Sequence, residues 1–327
     1  MWKYEAPARL HITLYDMNGS LGRINGGLGF SVNNPKFVFY IEKSENIEII
    51  YKCKEDKEQK EYIYEELKLI KKVYNLLGVK LIIENIIPAH RGFGSKSITK
   101  LSMAKAYLEL YDKEVDIKEL AVILKRGGTS GIGVNILEKG GFVFDGGRKK
   151  KKDITFKPSS AQSEIEVPPV LFHKEMLDIP IYILIPKMQG LHDEKEIDFF
   201  EKVCPISDES VEKLARIINS QILPALCEND FEVFCDGINK IQHLQWKISE
   251  INMYPTVYKQ FIFKLQEKGY GCGMSSAGTA IYVMGKNFDV LQQEIKMSNI
   301  EFENIILTHT NNVGIIRSNI NDSFDNG

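Results

Sequence analysis

The chain has 327 residues, and its 42 lysines and arginines against 44 acidic residues leave a formal net charge of −2. Such a balance provides no global field to recruit nucleic acid or an anionic membrane, so any polyanion site must be local. A hydrophobic fraction of 43% is typical of a globular protein, and the apolar runs fall short of the roughly 20 residues that span a bilayer. The five cysteines form no CxxC pair, which favours reduced thiols and a cytoplasmic location.

The first thirty residues predict an anion site. Residues 6–16 alternate like a strand, and a period of two places Arg9, His11 and Thr13 on one face. Residues 18–29 follow as a predicted loop with five glycines and Arg23. Glycines allow backbone amides to approach an anion closely.

A second glycine loop lies in the middle of the N-terminal half. The pattern predicts two strands within 36–50 around a turn at 44–46, a helix over 61–77 that ends at Gly78, and a strand over 79–86. Residues 88–97 then lead into a helix over 98–111, whose first amides and dipole favour phosphate. The candidate phosphate groups are Arg91, Gly92, Gly94, Ser95, Lys96 and Ser97. A serine-capped helix with a tight entry turn explains the same residues.

The remaining elements indicate one continuous α+β fold. A helix over 117–125 precedes a third glycine loop at 126–133 and a strand that ends near Asp145, while the basic run 148–152 is typical of a solvated loop. Further on we predict a strand over 179–185, helices over 209–223, 230–245 and 255–268, a glycine loop over 269–278 and a strand over 279–284. Because no Pro, Gly or Ser linker divides the chain, two intertwined α/β halves that share one cleft are expected, with a polar tail after Ser318.

Several strings resemble the GHMP small-molecule kinase superfamily and, within it, the family of β-ribofuranosylaminobenzene 5′-phosphate synthases. The superfamily pattern matches Ala6-Pro7-Ala8-Arg9, residues 88–95 and residues 271–280. The synthase likeness rests on residues 9–11, 18–23, 126–133, 140–142, 145–147, 158–160, 168–169 and 275–276. It covers the chain from about residue 6 to about residue 285.

The resemblance implies a GHMP-kinase-like fold and a decarboxylating phosphoribosyltransferase. The fold has an N-terminal domain like domain 2 of ribosomal protein S5 (1–160), a ferredoxin-like C-terminal domain (161–318) and a tail (319–327). The implied reaction joins phosphoribosyl pyrophosphate to 4-aminobenzoate, or a related hydroxybenzoate, and releases CO2 and pyrophosphate, in tetrahydromethanopterin biosynthesis. The family needs a divalent cation, usually Mg²⁺, but no ATP, and its members tend to be homodimers.

The resemblance, with the positions of these residues beside glycine loops, suggests roles for the site residues. Arg9, Arg23 and Arg126 are candidates to bind a carboxylate or the 5′-phosphate, and we expect at least two of them in the cleft. His11 is a candidate proton donor or phosphate ligand, unless it is a strand histidine satisfied by backbone. Asp16 is a catalytic or metal candidate and Asp145 a metal candidate, unless each is a turn cap. The remaining candidates for substrate binding are Thr129, Ser130, Ser275 and Ser276, the last two also being possible turn caps.

Two departures from the family patterns leave alternatives open. Kinases of the mevalonate type carry an aspartate where this chain has Gly133, and glycine cannot accept a proton, which disfavours the alternative of an ATP-dependent kinase. Lys96 replaces a small residue of the synthase loop and either strengthens pyrophosphate binding or marks a paralogue with another substrate. A non-catalytic phosphosugar or nucleotide binder is a further alternative. Trp246 either stacks on an aromatic substrate or packs in the core, and the histidine spacing predicts no zinc site.

Overall fold

The computed structural model describes residues 1–151, 156–162, 165–190, 193–285 and 287–319. Lys152 of the basic run, His192 and residues 320–327 of the predicted tail lie outside the described residues. The strands are β1 (Trp2–Asp16), β2 (Arg23–Ser44), β3 (Ile47–Tyr51), β4 (Gly78–Asn85), β5 (Phe142–Asp145), β6 (Arg148–Lys149), β7 (Val170–Lys174), β8 (Pro180–Pro186), β9 (Gly271–Met274), β10 (Ile281–Met284), β11 (Phe302–His309) and β12 (Ile316–Asn319). The α-helices are α1 (Lys57–Tyr74), α2 (Ser95–Leu110), α3 (Ile117–Ile123), α4 (Ile132–Lys139), α5 (Asp193–Val203), α6 (Asp208–Ile217), α7 (Leu223–Glu228), α8 (Phe231–Gln242), α9 (Gln245–Ile251), α10 (Thr256–Glu267) and α11 (Phe288–Met297).

Two sheets organise the described chain. The first has the order β12-β1-β2-β4-β3, with β5 and β6 paired to the early part of β2 and β7 paired to β5. The second is antiparallel, with the order β11-β8-β10-β9. Strands β7 and β12 come from beyond residue 160 and yet join the first sheet, so the two halves of the chain interpenetrate. This mixture of helices and sheets confirms the α+β prediction.

The first glycine-rich segment is mostly strand. β2 begins at Arg23, so the loop comprises only residues 17–22, and Gly27 and Gly29 pair with both β1 and β5. A Cβ at Gly27 would lie 2.9 Å from His11 Nε2, and one at Gly29 would lie 2.5 Å from Leu10 O. These glycines make room for β1 and its histidine, and the prediction that they belong to a loop was wrong.

Local capping explains where the observed helices differ from those predicted. α1 starts at Lys57 because Asp56 accepts a hydrogen bond from Gln59 N. It ends at Tyr74, before Gly78 is reached, because the next residue, the C-cap Asn75, has a left-handed φ of 52°. α2 starts at Ser95 with Gly94 as its N-cap and no side-chain cap, so the predicted serine cap is absent there.

Some elements were not predicted from the sequence. Helices α4, α5, α9 and α11 were not predicted, and residues 271–274 form β9 instead of a loop.

The main hydrophobic core is built from apolar residues of both sheets and of several helices. Trp246 is 2% exposed and packs edge-on against Phe199 and Phe200, with ring centroids 5.3 and 5.1 Å away. The core alternative for Trp246 is therefore confirmed. All five cysteines are free thiols, as predicted.

Candidate active site

One cleft of about 220 Å³ lies between β1, the entry to α2, the start of α4 and the turn between β9 and β10. α1, α5 and α9 complete its walls. The residues that line it include Arg9, His11, Leu14, Glu58, Tyr62, Gly92, Gly94, Ser95, Lys96, Ser97, Arg126, Thr129, Ser130, Gly133, Glu196, Phe200, Glu250 and Ser276. The structure thus brings together the predicted phosphate loop and the charged face of β1.

The entry to α2 is held by contacts from distant parts of the chain. Arg9 Nη1 donates to Gly92 O at 3.1 Å, and Ser275 Oγ donates to the same carbonyl at 2.7 Å. Ser275 Oγ also accepts from His11 N at 3.0 Å. Gly94 adopts a φ of 68°. Because α2 begins at Ser95, the amides of Ser95 and Lys96 have no helical acceptor, whereas Ser97 N donates to Gly94 O. This arrangement suits an anion at the helix N-terminus.

Two guanidinium groups face the cleft. Burial, together with the nearby charge of Arg126, lowers the pKa of Arg9 to about 10, and burial also lowers the pKa of Arg126. Arg126 Nε donates to Ser97 Oγ at 2.9 Å, which directs this arginine to the first turn of α2. Because each positive charge disfavours its neighbour, a polyanion bound between them would relieve the repulsion.

His11 is buried in the cleft wall and is neutral at pH 7. Burial, with Arg9 and Lys247 close by, holds its pKa well below the usual value. Its Nε2 lies 3.3 Å from Ser130 Oγ, which in turn lies 3.3 Å from Asp145 Oδ2. Its Nδ1 has no hydrogen-bond partner among the described residues. Ser130 thus orients the imidazole. His11 can donate or accept a hydrogen bond in the cleft but contributes no positive charge.

Asp145 supports the site from behind. It is fully buried and accepts from Gly131 N at 2.9 Å and Gly147 N at 3.1 Å. These bonds tie the third glycine loop to the end of β5. The carboxyl group of Asp145 therefore caps these two turns, as in the turn-cap alternative. Asp145 does not line the cleft.

An Asp145→Asn variant should reveal the cost of this burial. Burial raises the pKa of Asp145 to about 7, so the folded protein keeps a proton that the unfolded chain loses near pH 4. The free energy of unfolding should therefore fall by up to about 4 kcal/mol between pH 4 and 7. Asparagine does not titrate, so urea titrations across this range should show no such fall for the variant. Parallel pH curves for the two proteins would contradict the assignment.

Lys96 stands at the mouth of the cleft. Its ammonium lies 3.8 Å from Glu58 Oε1 and 5.3 Å from the centroid of the Tyr62 ring. Glu58 Oε2 is also 3.7 Å from His90 Nε2. The side chain of Lys96 is 45% exposed, so the ammonium is free to reorient toward an anion at the start of α2.

Four other predicted site residues lie at turns or between the sheets. Asp16 Oδ1 accepts from Asn18 N and Gly19 N at 2.9 and 2.8 Å, which is the turn-cap alternative. Arg23 donates to Gly146 O and Gly147 O at 2.7 and 2.6 Å. Arg91 points toward the second sheet, where it contacts Met188 O, Thr279 and Glu303. Ser275 is fully buried as the clamp on Gly92 O.

Of the remaining predicted hydroxyl residues, Thr129 and Ser276 line the cleft and Thr13 does not. Thr129 lines the cleft while its Oγ1 donates to Lys157 O at 3.0 Å. Ser276 lines the cleft with a φ of 55°, and its amide donates to His11 O at 3.0 Å. Thr13 is buried, and its Oγ1 donates to Leu14 O. A register shift between His11 and Thr13 removes Thr13 from the face that Arg9 and His11 share.

Sequence reasoning missed the acidic wall of the cleft. Glu196 on α5 and Glu250 on α9 line it, and Glu250 Oε2 lies 2.6 Å from Lys247 Nζ. Lys247 and Glu250 are three residues apart, a spacing that usually indicates a solvated ion pair on a helix. The spacing of Lys247 and Glu250 was visible in the sequence, but no local sequence feature distinguishes a buried ion pair from an exposed one.

The described residues contain no group of three or more His, Cys, Asp or Glu side chains that could hold a metal ion. Backbone amides donate to both metal candidates, Asp16 and Asp145, and neither residue lines the cleft. These contacts favour the turn-cap alternative for each of them.

Comparison with known proteins identifies the fold and the family. The family model described as GHMP kinases N terminal domain matches residues 61–137. A homoserine kinase from Cytophaga hutchinsonii superposes with a TM-score of 0.63 at 15% identity, covering 97% of this chain and 96% of that one. A mevalonate kinase does so with a TM-score of 0.64 at 13% identity, covering 94% and 98%. The fold is thus that of the GHMP kinases, as expected.

Closer relatives carry the name of a synthase. A beta-ribofuranosylphenol 5'-phosphate synthase from Methanocaldococcus jannaschii is 34% identical over 323 residues, which is 95% of this chain and 98% of that protein. A synthase of the same name from Archaeoglobus fulgidus is 33% identical over 285 residues, covering 87% and 88%. The chain belongs to this synthase family, a family of enzymes, and the predicted resemblance is confirmed. No helix in the described part of the chain has the length and apolarity to cross a membrane.

Proposed function

We propose that this protein transfers ribose 5-phosphate from phosphoribosyl pyrophosphate to the ring carbon of a 4-substituted benzoate, with release of CO2 and pyrophosphate. The observation that carries the proposal is the pair Arg9 and Arg126, which face one cleft beside the N-terminus of α2. Departure of pyrophosphate from the anomeric carbon leaves several negative charges on the leaving group. Preorganised cations and amides stabilise such charge in a site protected from water.

The relatives' name favours a hydroxyl-bearing acceptor. A ribofuranosylphenol forms when the carboxylate of 4-hydroxybenzoate is replaced by the sugar, whereas 4-aminobenzoate gives the aniline analogue. We propose 4-hydroxybenzoate as the acceptor and 4-aminobenzoate as the alternative, in tetrahydromethanopterin biosynthesis. The homodimer and the cytoplasmic location stay predictions.

Magnesium is part of the proposal as a counter-ion of the diphosphate. Mg²⁺ commonly binds through one or two carboxylates together with substrate phosphates and water. Among the cleft residues we propose Glu196 as the carboxylate ligand. Its charge acts on both Arg9 and Arg126, the residues proposed to bind the diphosphate, so Glu196 is close to the proposed position of the ion. The ion would neutralise the leaving group, and the arginines would orient it.

Joint measurement of two products tests the proposed function. Protein supplied with phosphoribosyl pyrophosphate, Mg²⁺ and either benzoate should release pyrophosphate and CO2 in equal amounts. Omission of the aromatic acid should abolish both. Release of ADP from ATP with candidate alcohols would instead support a kinase, and donor binding without turnover of either acid would support a non-catalytic binder.

Gly133 gives a second test, because the cleft has space beside it. A Cβ at this position would be 3.6 Å from Ser97 Cβ, an ordinary contact. A Gly133→Asp variant should fold but place a carboxylate near the diphosphate site, and like charges brought this close weaken binding by about tenfold or more. Calorimetry with inorganic pyrophosphate measures the effect, and Gly133→Asn is the neutral control of equal size. Equal affinities for the two variants would contradict an anion site at this place.

A further inference from the structure

Glu250 is a buried carboxylate that faces the cleft from α9. It is 3% exposed and lines the cleft, while its partner Lys247 is fully buried. Lys247 Nζ lies 2.6 Å from Glu250 Oε2 and donates to Met274 O at 2.9 Å and Ser276 O at 3.4 Å. The ammonium thus joins α9 to the turn between β9 and β10. Burying two charges is costly, and a cost borne inside a ligand cleft points to a chemical use.

The surroundings of Glu250 divide the cleft into two chemically different parts. Arg9, Arg126 and the start of α2 form the cationic part described above. Leu14 and Phe200 line the cleft and pack in one apolar cluster with Trp246, one helical turn before Glu250. If the ring of the aromatic substrate packs against Leu14 and Phe200, its para hydroxyl needs a hydrogen-bond acceptor. The ionised carboxylate of Glu250 can serve as this acceptor, because it has no proton to donate.

We propose that Glu250 is a further catalytic residue, which accepts the proton of the acceptor's para hydroxyl while the ring carbon attacks the ribose. The inference rests on the proposed function and extends it to a named base. Burial raises the pKa of Glu250, with Lys247 opposing the rise, and a base with a raised pKa accepts a proton more readily. The other titratable groups near it are Arg9 on β1, Tyr258 on α10 and Tyr282 on β10.

The step balances in atoms and electrons. The ring carbon that bears the carboxylate bonds to C1 of the ribose, and the C1–O bond breaks with its electron pair on pyrophosphate. The hydroxyl proton passes to Glu250 as the para oxygen becomes a carbonyl. The bond to the carboxylate then breaks, CO2 leaves, its electron pair restores the aromatic ring, and Glu250 returns the proton to the oxygen.

A Glu250→Gln variant tests the base. Its kcat with phosphoribosyl pyrophosphate and 4-hydroxybenzoate should fall by about 10²-fold or more. In the wild type, kcat/KM should decline as the pH drops through the pKa of Glu250, and the variant should lack this acid limb. Glu294→Gln is the matched control, because Glu294 is also 3% exposed and paired to Lys264 and Lys268 but lies on α11. Wild-type turnover or a retained acid limb in Glu250→Gln overturns the inference.

Equilibrium binding separates this inference from the proposed function. With pyrophosphate present, the wild type should bind 4-hydroxybenzoate about tenfold more tightly than benzoate, as expected for a hydrogen bond to a charged acceptor. Glu250→Met should lose this preference while it still binds pyrophosphate at least as tightly as the wild type, because a negative charge near Arg9 is removed. If the wild type prefers 4-hydroxybenzoate over benzoate but does not turn it over, the proposed reaction is rejected and the contact between Glu250 and the para hydroxyl is retained. If the wild type turns over 4-hydroxybenzoate but Glu250→Met keeps the same preference, only the role of Glu250 is rejected.

Discussion

Replacing Arg126 by methionine should lower kcat/KM for phosphoribosyl pyrophosphate by about 10²- to 10³-fold, the usual cost of removing one preorganised donor to a developing anion. Methionine retains much of the apolar stem, so the wall of the cleft should stay packed. The guanidinium has one hydrogen bond among the described residues, to Ser97 Oγ at 2.9 Å, so folding should change little. Steady-state kinetics and a thermal melt measure both quantities.

Arg23→Met is the matched control. Arg23 also lies beside a glycine turn and was predicted to be catalytic, yet it donates to Gly146 O and Gly147 O instead of lining the cleft. Its replacement should lower the melting temperature through the loss of these two bonds and leave kcat/KM near the wild-type value. A large kinetic loss in Arg23→Met, or none in Arg126→Met, would show that the cleft is not the diphosphate site.

Replacing Gly92 by alanine should lower the free energy of unfolding by about 3 kcal/mol or more and abolish activity. A Cβ there would lie 2.0 Å from Ser275 O, and the residue has a φ of 93°. The crossing of this loop with the turn after β9 is a contact between backbones, so no side chain can move aside. Backbone strain and overpacking each cost about 1 to 3 kcal/mol. Urea unfolding measures the loss.

Gly22→Ala separates strain from crowding. Gly22 has a φ of 81°, but a Cβ at this position would meet no atom of the described residues within 4 Å beyond its own chain neighbours. Its replacement should therefore cost only about 1 kcal/mol of backbone strain. The difference between the two variants then measures how closely the loops cross. Equal losses would indicate that left-handed backbone geometry alone requires Gly92.

The family and the glycine loop that enters α2 could be recognised from the sequence because their signals are local. The strand, glycine loop and helix around residues 79–110 are encoded by alternation, by glycines and by helical spacing within a few residues of one another. Arg9 and His11 belong to the same kind of signal, since a period of two places them on one face of β1. These features require no knowledge of the rest of the chain.

The tertiary structure alone decided which polar residues meet. Asp16, Arg23 and Asp145 have the residue types and glycine neighbours of a site, yet backbone groups satisfy all three outside the cleft. The partners of Asp16 lie in its own turn, whereas Arg23 and Asp145 also bond to backbone groups that are distant in the sequence. Glu250 and Lys247 have the spacing of a surface pair, but the packing of α9 against β1 and the turn after β9 buries them beside Arg9, from the opposite end of the chain. A local pattern specifies secondary structure, whereas burial and charge contacts depend on segments that only the folded core brings together.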